Sequence, residues 1–378
     1  MRDIVLNNAR IVLEDEIVHG SVIVRKGLVA AVDAGPAATG EDMEGDYLIP
    51  GLVELHTDHL EQHYSPRPGV RWDSIAALQA HDAQVVGSGI TTVFDCLRLG
   101  SDEESGFHKG EMREIADALD RATTEDRLRA SHLIHLRCEV SAGNVLEHFE
   151  DFRADPQVKL ASLMDHSPGQ RQFQTLEQYI LYYRKKFGLS DSEFESFMAR
   201  RQEESARYSA PNRRAIAEAC RDREIAIASH DDATLDHVEE SKSFGVRLAE
   251  FPTSMEAAAA SHEAGMSVLM GAPNIVRGKS HSGNISARTL ADAGVLDVLS
   301  SDYVPISLIH APFLLAEGEE GMDLPQAIRL VTATPARTVG LDDRGRIEPG
   351  LRGDMVRVRY RGGVPVVRAV WREGRRVA

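Results

Sequence analysis

Short apolar runs, most of them ending in polar residues, recur along this chain between Tyr47 and Ser301, with amphipathic stretches between them. Eight runs read as strands: Tyr47–Leu55, Ile90–Cys96, Leu133–Val140, Lys159–Met164, Glu224–Ser229, Arg247–Phe251, Ser267–Gly271 and Val298–Ser301. Between the first two, Asp73 is placed to cap a helix carrying Ile75, Leu78 and Ala83, which closes at Gly87-Ser88-Gly89. Strand, helix, strand is the signature of parallel pairing. Eight such units predict an α/β fold, a (β/α)8 TIM-like barrel over residues 51–345. The two ends have a different texture. Ile4–Leu6, Ala9–Leu13, Ser21–Val24 and Leu28–Val32 are short strand patterns separated by Asn7-Asn8, His19-Gly20 and Lys26-Gly27, which read as tight turns. Met355–Tyr360 and Val364–Trp371 repeat that pattern. Residues 1–50 and 346–378 are therefore expected to form one small β-sandwich domain. The polar stretch Ser190–Asn212, opened by the capping box Ser190-x-x-Glu193, predicts a surface helix, with a lid or dimer contact as the alternative.

Composition narrows the partners. A chain of 378 residues, 42% hydrophobic and 27% charged, has the balance of a globular protein long enough for a barrel and an appendage. No run approaches 18 apolar residues, so no membrane span is expected. The opening Met1–Leu6 is a strand pattern, not a signal peptide. A net charge of −16 argues against nucleic acid and anionic membranes, while a locally positive cleft still admits an anionic small molecule. Cys96, Cys138 and Cys220 are far apart and read as buried, reduced thiols of a cytoplasmic protein.

Chemistry gathers where the strand runs end, the end at which parallel barrels carry their sites. His56-Thr57-Asp58 follows the first run, and residues i and i+2 of an extended chain share a face. His135, Arg137 and Glu139 alternate along one face of the third run, where a parallel strand is otherwise apolar. Asp165-His166, His230-Asp231-Asp232, Glu250 and Asp302 follow at later exits. Histidine and carboxylates are the donors that zinc, manganese or iron take, and six of them across five exits suffice for two ions. Asp95, Asp165 and Asp231 are candidate residues to hold those donors in place. The stretch Gly271–Asn284 adds Arg277, Lys279, Ser280 and His281 in a glycine-bearing segment suited to ring a phosphate, though its spacing is not that of a P-loop. Arg67, Arg98 and Arg137 extend this candidate anion pocket.

The blocks Pro50-Gly-Leu-x-x-x-His56, Ser300-Ser-Asp302 and Gly345-x-Ile-x-Pro-Gly350-x-x-Gly-Asp354 resemble the amidohydrolase superfamily. Glu54–Asp58, Tyr64–Gly69, His135–Val140, Leu163–Phe173, Ala228–Asp232, Glu250–Thr253, Gly271–Asn274, His281–Asn284 and Ser300–Val304 are similar to its phosphonate-metabolism branch, nearly end to end. The first exit carries His-x-Asp where most of the superfamily has His-x-His. The resemblance implies two divalent metal ions, zinc or else manganese or iron, held by His56, Asp58, Glu139, His166, His230 and Asp302. Glu139 stands where many relatives use a modified lysine; Lys159 lies at the start of its run, the wrong end of the barrel. The implied reaction is hydrolysis of a ribose 5-triphosphate to the 5-phosphate and pyrophosphate. Asp302 would move the proton, and Arg277, Lys279 and His281 would clamp the polyphosphate. A deaminase or cyclic-amide hydrolase, and a catalytically dead scaffold, are the competing readings. A homodimer is the expected assembly.

Overall fold

A computed structural model describes residues 3–35, 37–100, 107, 110–172, 177, 179–180, 183–184, 190–278, 283–318 and 321–378. The chain opens with β1 (Ile4–Val12), β2 (Ile17–Arg25), β3 (Leu28–Ala34), β4 (Glu41–Asp42) and β5 (Tyr47–Pro50). Two of the expected turns lie inside strands. At Asn7-Asn8 the register of β1 against β2 shifts between Leu6 and Ala9, and Asn8 has φ 56°, so the pair makes a bulge in one continuous strand. Gly20 lies within β2, where a Cβ would sit 1.9 Å from the carbonyl oxygen of Asp33; the glycine serves close strand approach. Lys26-Gly27 is the turn expected, with φ 52° and 86°.

The middle of the chain supplies β6 (Leu52–Thr57), β7 (Ile90–Leu99), β8 (Ser131–Glu139), β9 (Val158–Met164), β10 (Ala226–His230), β11 (Leu248–Glu250), β12 (Ser267–Gly271) and β13 (Val298–Ser300). They pair in sequence order, all parallel, into one eight-stranded sheet. The sheet nearly closes. Thr57 bridges Asp302, and the buried Glu54 carboxylate accepts the backbone N–H of His56 at 2.7 Å and of Ser301 at 2.5 Å. Inside, Val53, Leu55, Phe94, Leu160, Leu248, Leu269 and Val298 pack into an apolar plug. That plug leaves the strand exits as the place where polar side chains can gather. Outside, helices cover the barrel; the helix Ser74–Gly87 is capped as expected, the Asp73 carboxylate accepting Ala76 N–H at 2.8 Å.

The chain ends in β14 (Met355–Arg359), β15 (Val366–Arg372) and β16 (Arg375–Arg376), which join the first strands in the order β16-β15-β14-β5-β1-β2-β3, with β4 beside β1. Where a sandwich of two sheets was expected, all eight strands share one hydrogen-bonded sheet. Its core draws Leu6, Val22, Val29, Leu48, Met355 and Trp371 from both termini. No described helix is long and apolar enough to cross a membrane. The helix opened by Ser190 runs through Pro211 to Asp222, beyond the stretch expected. It is a surface helix, exposed along most of the expected stretch, with one polar face turned inward: Arg201, Ser205, Asn212 and Arg213 are buried against the exits of β8 and β9.

Candidate active site

Each site residue is delivered by a strand exit, and at three exits the backbone turns sharply. Asp231, Phe251 and Asp302, just past β10, β11 and β13, have φ 59°, 53° and 52°. Non-glycine residues in the left-handed region cost free energy and cluster where function holds them.

The centre is an alternation of imidazoles and carboxylates. Glu250 is fully buried between two histidines: Oε1 accepts His56 Nδ1–H at 3.0 Å and Oε2 accepts His230 Nδ1–H at 3.2 Å. The His56 and His230 rings stack at 5.8 Å. His166 is fixed in the same way, its Nδ1–H donating to Glu139 Oε2 at 2.8 Å. With Nδ1 committed, each histidine keeps Nε2 as its remaining donor atom. Those of His166 and His230 lie 3.8 and 3.6 Å from Asp231 Oδ2, and the three residues can offer ligand atoms all within 4.8 Å of one another. Burial pushes His56 and His230 down to about 3, so both rings are neutral, as ligation requires. Burial raises Asp231 to about 6 and Asp302 to about 7. A nearby cation reverses such shifts, which makes these carboxylates fit a metal better than they fit one another. Glu139 differs. Burial opposes its charge, yet His166, Arg201 and Ser141 outweigh it and hold the carboxyl at about 2.

Asp58 sits beside this group with two guanidinium partners, Arg98 at 2.9 Å and Arg137 at 2.5 Å. Burial raises its pKa, but both arginines pull it well below the usual carboxylate range. Arg98 also meets Glu61 at 3.0 Å. The negative charge that aspartate adds at the first exit is thus locally offset.

Of the predicted residues, His56, Glu139, His166 and His230 come together at the exits, while Asp58 with Arg98 and Arg137 forms an adjoining ion cluster. Asp302 touches the first exit through the backbone, its N–H donating to His56 O at 3.2 Å. Arg277 is exposed at the end of a short helix, Ala272–Arg277, where a loop was expected. Arg67 is exposed. Lys279 and His281 lie outside the described residues. Asp165 holds Ser205 at 2.8 Å on the long helix. Asp95 is a correction: it points away from the interior to His81 and His132, at 2.8 and 2.7 Å. Lys159 is exposed as the second residue of β9, as expected. His135 is committed elsewhere, Nδ1–H donating to Leu55 O at 2.9 Å and Nε2 accepting from Ser162 at 3.0 Å. All three cysteines are buried free thiols.

Neutral His56 and His230, both oriented by Glu250 at the rim of a parallel barrel, are donors of the kind that divalent cations take. The chain belongs to the amidohydrolase family, whose model matches residues 189–378. It is 46% identical, over 99% of its length and 100% of the relative's, to alpha-D-ribose 1-methylphosphonate 5-triphosphate diphosphatase of Escherichia coli K12. A local match of 43% identity over 103 residues, 24% of this chain and 26% of the relative, is to imidazolonepropionase of Streptomyces griseus. Among solved structures, N-acetylglucosamine-6-phosphate deacetylase from Pasteurella multocida shares the fold, with a TM-score of 0.63 at 14% identity, covering 99% of this chain and 98% of that one.

Proposed function

We propose that this chain hydrolyses α-D-ribose 1-methylphosphonate 5-triphosphate to the 5-phosphate and pyrophosphate, as a cytoplasmic enzyme of phosphonate catabolism. The observation that carries this reading is the end-to-end likeness to the Escherichia coli diphosphatase. The likeness to imidazolonepropionase covers about a quarter of the chain and carries no rival reading. Water adds to a phosphorus, and the anhydride bond between the α and β phosphoryl groups breaks.

Two divalent ions, with zinc preferred over manganese or iron, fit the donor set because His56 and His230 are neutral and its carboxylates crowd one another. His56, Asp58, His166, His230 and Asp302 are assigned to hold them, with Asp231 beside His166 and His230. Glu139, expected among the ligands, is assigned to orient His166, and Glu250 to orient His56 and His230. When bound, such ions supply Lewis acidity toward a phosphoryl oxygen and acidify water to near neutrality. Asp302 accepts the proton of the attacking water and returns it to the departing oxygen. Arg277, Lys279 and His281 bind the polyphosphate and oppose the charge that builds on it.

³¹P NMR of the metal-loaded protein with this triphosphate tests the reading. Pyrophosphate appearing beside an unchanged phosphonate signal supports it, and ¹⁸O water identifies the phosphorus attacked. Absence of turnover by a protein holding two ions overturns it, and a screen of purines and cyclic ureides then becomes the next experiment.

A further inference from the structure

A second histidine cluster lies on the opposite side of the barrel wall. His59 and His63 stand four residues apart on the helix His59–Tyr64, so they share a face. His81 reaches them from the helix Ser74–Gly87, with ring centroids 5.9 Å from His59 and 6.0 Å from His63. One nitrogen from each ring can be chosen so that all three lie within 4.8 Å. Two nitrogens are orphaned: His59 Nδ1 and His81 Nδ1 are buried without a hydrogen-bond partner among the described residues. Buried polar atoms in native proteins are nearly always partnered, and an orphan asks for a ligand.

The surroundings resemble a built metal site. His81 is fully buried, and its Nε2 is engaged by Asp95 Oδ1 at 2.8 Å, which leaves Nδ1 as its uncommitted donor atom. Asp95 is itself held by His132 Nδ1 at 2.7 Å, and His132 Nε2 meets Asp82 at 3.3 Å. A carboxylate behind a histidine fixes tautomer and ring direction for coordination. Gln84 Oε1, 3.2 Å from His63 Nε2, closes the rim.

We propose that His59, His63 and His81 form a second transition-metal site, separate from the rim cluster, that takes zinc or an ion of similar character. Three imidazoles suit zinc, with the fourth position left to water or Gln84. Nitrogens around tetrahedral zinc stand about 3.4 Å apart, so binding draws the three rings closer than the 4.8 Å within which they already lie. The site joins the helix that begins directly after Asp58 to the helix Ser74–Gly87, so its role is to fix the first exit in place.

The test compares zinc content after chelation, reconstitution and desalting in the wild type and in His63→Ala and His63→Asn, with folding followed by circular dichroism. The wild type is expected to retain one more zinc per chain than either folded variant. Zinc is expected to raise its melting temperature by several degrees more, and cobalt to give it an additional visible band. Equal zinc content, equal thermal shifts and identical cobalt spectra would overturn the proposal. The reading is a difference of one ion between proteins, so it stands or falls independently of the reaction at the rim.

Discussion

Replacing Glu250 by glutamine isolates what the shared carboxylate does. The wild-type group accepts from two imidazoles, His56 at 3.0 Å and His230 at 3.2 Å, with no exposure to water. Glutamine keeps the shape but has one acceptor oxygen. Its amide N–H groups then face a ring N–H, donor against donor, and that imidazole must turn or change tautomer. One hydrogen bond to a charged group is lost, on the order of 1.5–3 kcal/mol. Converted at about 1.4 kcal/mol per decade, this is about 10- to 100-fold in metal affinity, the usual effect of removing such a support. The assay titrates zinc or manganese into chelated E250Q in competition with an indicator and follows pyrophosphate release at each metal concentration. Loss of activity at limiting metal, with most of it restored at saturating metal, is the outcome expected of a positioning residue. Wild-type metal affinity in E250Q refutes the reasoning, and so does an activity loss that excess metal leaves untouched.

Three further outcomes follow from the same geometry. Arg277→Ala should raise KM for the triphosphate several-fold while kcat changes less than about twofold; an unchanged KM removes Arg277 from polyphosphate binding. Glu54→Ala strips the acceptor from His56 N–H and Ser301 N–H at the barrel seam, and urea unfolding should show a loss of about 2–4 kcal/mol; wild-type stability would mean the seam is held otherwise. Asp46 is depressed below its usual pKa because hydrogen bonds from Arg359 and Arg357 outweigh its burial. A depressed carboxyl stabilises the fold above its unfolded pKa and loses that contribution as pH falls through the lower folded value. Asp46→Asn should therefore cost on the order of 2 kcal/mol at pH 7 and progressively less below pH 4. A cost that does not vary with pH argues against the ion pairs as its source.

What was legible in the chain was set by how local the signal is. All eight barrel strands were readable because each apolar run is bounded by its own turn residues and polar exit. His56, His166 and His230 were readable because each lies at or within two residues of such an exit. Glu250 was visible at an exit, but its sharing by two histidines joins residues 194 positions apart, a contact no local pattern encodes. One face of the long helix was hidden from the sequence for a related reason. Arg201, Ser205 and Asn212 look like a solvated polar face, and only the exits of β8 and β9 packed against them turn that face into buried hydrogen bonds.

The direction of Asp95 follows from strand alternation alone. Along β7, Cys96 and Arg98 face the barrel interior, Cys96 lying 3.5 Å from His135 and Arg98 2.9 Å from Asp58. Period two then sends Asp95 outward. The same alternation along β8 sends His135 and Arg137 inward and His132 outward, to the far side of the same wall. By this alternation these histidines divide between two faces. His56 and His135 belong to the interior, and His81 and His132 to the helical layer, where Asp95 joins them. A carboxylate that backs His81 from a barrel strand cannot also serve the rim, so the outer cluster needs a physical account of its own.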